Sequence, residues 1–239
     1  MLKLCAWGVH LYTASGAVAG LIALDCIARG DFRGAFFAMA VAVFVDSSDG
    51  PLARAIKIRE RIPWFDGAML DNIVDYLTYV IAPVFLILRA RLIAPGLFGY
   101  IIAGFVVIAS AYGFCHVEAK TDDNYFLGFP SYWNVVALYL YCLGLPPTVN
   151  TSILILLGVL VFVPIKYIYP NRTELLRPLT LTLAVIWAIA TIAMLPELPT
   201  PHPILLYTSL SFILYYFVMS FALHAHPARV AARRTMDHG

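Results

Sequence analysis

The sequence predicts an all-α fold, a polytopic bundle of about eight membrane-spanning helices. Three observations carry that expectation. Of its 239 residues, 62% are hydrophobic and only 13% are charged, whereas a soluble domain is about half apolar and about a quarter charged. Mean hydropathy is +0.83. The apolar residues form long runs without period-2 alternation, and in lipid only helices then satisfy their own backbone polar groups. The same numbers exclude a disordered chain, a nucleic-acid-binding module and an ordinary cytosolic enzyme. The net charge of +2 points to no acidic partner.

Eight apolar stretches follow in order. Cys5 to Ala28 comes after Lys3 and exceeds the ~7–15-residue core of a signal peptide, so it reads as a retained first span. Arg33 to Ile58 contains Pro51, which removes the bond to the carbonyl of Ser47 and bends the span. Phe65 to Leu88 and Pro95 to His116 are the third and fourth. Ser131 to Leu145 is short and ends at Gly144 and Pro146. Thr148 to Tyr169, Pro178 to Leu195 and Pro203 to His224 complete the set. Connections are short, so residues 1–239 read as a single membrane-embedded domain. Cys5, Cys26, Cys115 and Cys142 are scattered, with no zinc-like spacing, and read as free thiols packed as small hydrophobes.

Eight spans bring both termini to one side. That side carries Lys3, Arg54, Lys57, Arg59, Arg61, Lys120, Lys166, Arg172, Arg177, Arg229, Arg233 and Arg234, against Arg29, Arg33, Arg89 and Arg91 opposite. Positive charge gathers in the cytoplasm. Both termini are therefore expected to be cytoplasmic. His224 and His226 join the last arginines in a solvated tail suited to lipid headgroups.

Ionisable groups within a span are costly and point to function. Asp46, Asp49, Asp71 and Asp75 fall inside the second and third spans. At a rise of ~1.5 Å per residue, Asp46 lies about 20 Å from the outer end of its span, leaving roughly 10 Å of a ~30 Å core. Asp71 and Asp75 lie about 9 Å and about 15 Å from the inner end of theirs. Both pairs thus meet on the cytoplasmic side. At ~100° per residue, Asp46, Asp49, Gly50 and Ala53 share one helix face, and Gly67, Asp71 and Asp75 align four apart on the other. Four anions cannot share a low-dielectric site without cations. Oxygen-only ligands suit Mg2+ or Mn2+. Helix capping explains Asp66 but not Asp46 and Asp75 in mid-span. His10, in the first span, reads as a packed polar residue.

The segments Asp46-Ser-Ser-Asp49-Gly50-Pro-Leu-Ala53-Arg54 and Gly67-Ala-Met-Leu-Asp71-Asn-Ile-Val-Asp75 resemble the signature of the CDP-alcohol phosphotransferases, with every fixed position present. Twelve residues separate Arg54 from Gly67, a longer insert than is usual in the family. That insert resembles the bacterial phosphatidylcholine synthase branch. So do His10-Leu-Tyr-Thr-Ala-Ser-Gly16, Leu70-Asp-Asn-Ile-Val-Asp-Tyr-Leu-Thr-Tyr79 and Gly128-Phe-Pro-Ser-Tyr-Trp-Asn134.

The resemblance implies transfer of a phosphatidyl group from CDP-diacylglycerol to choline, with release of CMP. It implies Asp46, Asp49, Asp71 and Asp75 around a two-metal site of Mg2+ or Mn2+, with Asp75 also the catalytic base. Gly50, Ala53 and Gly67 would line the cytidine pocket, and Arg54 would hold phosphate oxygens in its two-pronged guanidinium. A homodimer is also implied, and the small-residue faces permit one. Choline's permanent cation calls for an aromatic box, for which Tyr112, Glu118, Tyr132 and Trp133 are the candidates. Interfacial belts of Trp and Tyr account equally well for aromatics at those positions. Span interiors hold no cation beyond Arg54, which argues against a phosphate-bearing acceptor. Lys57, Arg59, Arg61, Lys120 and Arg172 on the inner surface weaken that point. Two other readings stay open: the same reaction with serine, inositol or glycerol phosphate, and a divalent-cation transporter.

Overall fold

A computed structural model describes residues 2–119, 125–169, 173 and 176–225. Lys120, Arg172, His226, Arg229, Arg233 and Arg234 lie outside the described residues. The protein is a polytopic helical bundle. Among the described residues six helical runs are long and apolar enough to cross a membrane, and two shorter apolar helices accompany them. Each predicted stretch contains a helix. The outward faces carry exposed Leu11, Leu21, Phe44, Ile108, Ile189 and Leu214, a surface suited to hydrocarbon rather than water.

The chain folds as two compact units, one of residues 1–114 and 132–155, the other of 115–131 and 156–239. The first unit begins with helices α1 (Leu2–Ala28) and α2 (Phe32–Ala55). Buried alanines, among them Ala19, Ala23, Ala35, Ala38 and Ala42, serve where small residues let helices approach closely in lipid. Asp31 caps α2, accepting a hydrogen bond of 2.9 Å from the Gly34 amide. Pro51 lies within α2, which ends three residues before the predicted Ile58.

The long insert after Arg54 is not slack. It forms one helical turn, α3 (Ile58–Arg61), and returns its apolar residues to the start of α1, where Ile58, Ile62 and Ala6 form a buried cluster with Ala53 and Phe65 against it. Asp66 then caps α4 (Gly67–Asp75), accepting bonds of 3.0 Å from the amides of Ala68 and Met69. The third span continues through a π-helical segment, Tyr76–Ile81, into α5 (Ala82–Arg89). Helix α6 (Leu97–Cys115) is tied to this span by the Tyr76 hydroxyl, which donates to the Val107 carbonyl at 3.0 Å. Helix α7 (Trp133–Leu143) also belongs to this unit, as does the first part of α8 (Pro147–Leu160). At ~1.5 Å per residue α7 and α8 reach about 16 Å and about 21 Å, short of a ~30 Å core.

The second unit takes up the segment after α6, with its strand β1 (Tyr125–Leu127), and the chain from the later part of α8 onward. The predicted sixth span ends early. Its tail turns at Val161 and becomes strand β2 (Lys166–Ile168), antiparallel to β1 with Phe126 opposite Tyr167. Pro164 lacks the amide that would continue the helix. Gly128 seats β1 with φ +81°, and a Cβ there would strike the Val161 carbonyl. Its amide donates to the Ile165 carbonyl at 2.9 Å.

Helices α9 (Arg177–Met194) and α10 (Pro203–Ala225) complete this unit. The Thr180 and Tyr215 hydroxyls pair at 2.7 Å across them, and the Ile168 amide donates to Ser220 Oγ at 3.1 Å. All four cysteines are free; Cys26 is buried and Cys142 half-buried, as expected of small hydrophobes, but Cys5 and Cys115 are exposed.

Candidate active site

The acidic residues gather where α1, α2 and α4 meet. Helix α2 supplies Asp46 and Asp49 one turn apart, and α4 supplies Asp71. One carboxylate oxygen from each lies within 4.8 Å of the other two. Two ligand oxygens on opposite sides of one octahedral Mg2+ are about 4.2 Å apart, from bonds of about 2.1 Å. The triplet is therefore within a small side-chain adjustment of sharing a cation, and its all-oxygen donor set fits a hard divalent ion. Asp75 stands one turn beyond Asp71 on the same helix and outside the triplet.

Two of the carboxylates are held from behind. Asp49, only 6% exposed, accepts a hydrogen bond of 2.7 Å from Thr13 Oγ1 of α1. The Tyr79 hydroxyl of the π-helical segment donates to Asp46 Oδ2 at 2.7 Å. A neighbouring tie pairs the Tyr12 hydroxyl with Ser48 Oγ at 2.7 Å. Donors of this kind fix ligand orientation and sharpen metal affinity. Neither Thr13 nor Tyr79 emerges as a site residue from the sequence alone. Their only signal there is membership of the two segments, His10–Gly16 and Leu70–Tyr79, that resemble the synthase branch.

Close approach of α1 to the third span makes the arrangement possible. A Cβ on Gly16 would come within 2.8 Å of Val74 Cγ1, and one on Gly20 within 2.9 Å of Leu77 Cδ2. Glycines at i and i+4 thus let the two helices touch along one face.

The remaining expected residues divide. Arg54 is exposed one turn beyond Gly50, and a Cβ on Gly50 would lie 3.3 Å from Arg54 Nη1, so the bare glycine leaves room for the guanidinium. Ala53 packs beside the Ile58–Ile62–Ala6 cluster. Gly67 lies against the ring of His10, whose Cε1 is 2.8 Å from the place a Cβ would take. His10 is indeed packed, 4.5 Å from Phe65 and 5.8 Å from Trp7 between ring centroids. Tyr132, half-buried at the start of α7, has its ring centroid 6.1 Å from that of Tyr79. Trp133 is fully buried, and its indole N–H donates to Ser110 Oγ at 2.7 Å. Tyr112 is exposed on α6, and Glu118 is an exposed residue of the second unit.

Known proteins resemble this chain over most of its length. The family profile described as CDP-alcohol phosphatidyltransferase matches residues 11–165, well over half of the chain. A phosphatidylcholine synthase of Legionella pneumophila is 38% identical over 93% of this chain and 89% of its own length. One from Pseudomonas aeruginosa is 38% identical over 85% of each chain. One from Borreliella burgdorferi is 36% identical over 76% of this chain and 77% of its own.

Proposed function

Because the chain belongs to the CDP-alcohol phosphatidyltransferase family, we propose that it transfers the phosphatidyl group of CDP-diacylglycerol to choline, giving phosphatidylcholine and CMP. It is a membrane-embedded transferase. The observation that carries the reading is the convergence of Asp46, Asp49 and Asp71 in a chain whose relatives carry that synthase name. Asp46, Asp49 and Asp71, with Asp75 beside them, would hold Mg2+ or Mn2+, as a pair, which supplies charge neutralisation for a diphosphate and its departing nucleotide.

The chain's own residues do the rest. Arg54 holds phosphate oxygens with two parallel N–H groups. Gly50, Ala53 and Gly67 keep the nucleotide side free of bulky side chains. Asp75 accepts the proton of the choline hydroxyl. The choline oxygen forms a bond to the phosphatidyl phosphorus as the bond from that phosphorus to the CMP oxygen breaks, and CMP leaves with the electron pair. The acceptor's quaternary ammonium is received by aromatic faces, for which Tyr132, Tyr112 and Trp133 of the first unit are the candidates, while Glu118 belongs to the second unit.

The whole chain is taken as one catalytic domain of a homodimer in the inner membrane of a bacterium. Both termini and the polar mouth of the site are in the cytoplasm, a reading that the distribution of Lys and Arg supports.

The experiment is a CMP-release assay of purified protein with CDP-diacylglycerol, Mg2+ or Mn2+, and choline, serine, inositol or glycerol phosphate in turn. Release with choline alone is expected. Release with another acceptor instead removes choline and keeps the reaction class. No release with any of them removes the reaction as well.

A further inference from the structure

Tyr79 has two surfaces, and each meets a different part of the site. Its hydroxyl donates to Asp46 Oδ2 at 2.7 Å. Its ring meets that of Tyr132 at 6.1 Å between centroids, with the planes 49° apart. The two rings are neither stacked nor perpendicular. At this separation both rings can lie within the ~6 Å range of cation–π attraction of one cation. Asp46 is in direct contact with that hydroxyl, and Asp75, which immediately precedes the π-helical segment, stands four residues before Tyr79.

The backbone explains how one residue reaches both. Tyr79 sits in the π-helical segment Tyr76–Ile81, which begins directly after Asp75. Hydrogen bonds that close five residues apart widen the turn, and such bulges recur at functional sites. The wider turn re-aims Tyr79 away from the direction an uninterrupted α-helix would give it. Tyr132 is presented by the capping position of α7, immediately before Trp133. The bond from Trp133 to Ser110 anchors that helix start.

We propose that Tyr79 couples the metal site to the acceptor site: its hydroxyl positions Asp46, and its ring, with that of Tyr132, forms the wall that receives the quaternary ammonium of the acceptor. This rests on the reading that the acceptor is choline. A residue that serves both subsites also explains why a tyrosine suits the position. Phenylalanine would keep the wall and release Asp46; a small hydroxyl residue would hold Asp46 and lose the wall.

The test separates the two surfaces by equilibrium binding rather than turnover. Mn2+ binding is followed by electron paramagnetic resonance, and choline binding by equilibrium dialysis, on detergent-purified protein. Tyr79→Phe is expected to weaken Mn2+ roughly tenfold to a hundredfold while choline affinity stays within about twofold. Tyr79→Leu should weaken both, choline by roughly tenfold. Tyr132→Leu should weaken choline alone. The uncharged isostere 3,3-dimethylbutanol provides a measurement on the wild type that no folding defect can confuse. Choline should bind about tenfold more tightly than the isostere, and Tyr79→Leu should erase the difference.

Unchanged Mn2+ affinity in Tyr79→Phe overturns the positioning role. Equal binding of choline and its isostere by the wild type, or a preference that survives in either leucine variant, overturns the wall. Should the wild type bind no choline yet release CMP with another acceptor, the choline reading fails instead, and the Mn2+ arm still decides the role of the hydroxyl.

Discussion

Thr13 and Asp49 are 36 residues apart and belong to different helices, yet their side chains meet at 2.7 Å. A buried carboxylate without a donor behind it is costly, and a ligand without an orienting partner binds metal less well. Thr13→Val keeps the shape and removes the donor. It is expected to raise the Mn2+ concentration for half-saturation roughly tenfold, read by titration of the purified variant. Asp75 differs from its three companions because it lies outside the triplet. Asp75→Asn preserves size and removes the basic oxygen. Turnover is expected to be abolished while metal-dependent binding of CDP-diacylglycerol remains measurable; near-normal turnover would take the proton-accepting role from Asp75.

At the scale of elements, the site depends on how closely α1 lies against the third span. Gly20 faces Leu77 and Thr78, and a Cβ there would come within 3.2 Å of both side chains. Gly20→Leu adds a branched chain where none fits, and overpacking of this kind costs about 1–3 kcal/mol. The thermal unfolding midpoint in detergent should fall, and Mn2+ affinity with it, because Thr13 on α1 would draw away from Asp49 on α2. A variant that lost stability but kept full Mn2+ affinity would show that α1 does not orient the carboxylates. Asp66 works at this scale too. By capping α4 it sets where that helix begins, and so where Asp71 falls on its first turns.

Across the whole molecule, the charge distribution makes a prediction about the proposed topology. A green fluorescent protein fused after Gly239 should fluoresce in cells, because that protein matures in the cytoplasm, and alkaline phosphatase at the same place should be inactive. The reverse pair of results would invert the protein in the membrane and place the acidic site nearer the opposite face.

Much of the architecture could be read in the chain before any coordinates, for a reason specific to lipid. Hydrocarbon imposes one secondary structure on long apolar runs, so the six long spans and two shorter helices fall where hydropathy puts them. The aspartate quartet stands out in sequence for the same reason, since charge in a span is rare. What escaped is whatever depends on a partner distant in the chain. Strands β1 and β2 have three residues each and pair across two intervening helices, too short for any periodicity. The burial of Trp133 depends on a serine of α6, and a 3.6-residue period cannot anticipate the π-helical turn that aims Tyr79.

Composition and pattern alone determined that this chain is a membrane helix bundle with an acidic centre, because both follow from the local cost of placing each residue in lipid. Tertiary structure decided which three carboxylates share a site, which hydroxyls hold them and which rings face each other. Those outcomes depend on how closely helices approach, and that is settled only when glycine faces and their opposing side chains come together.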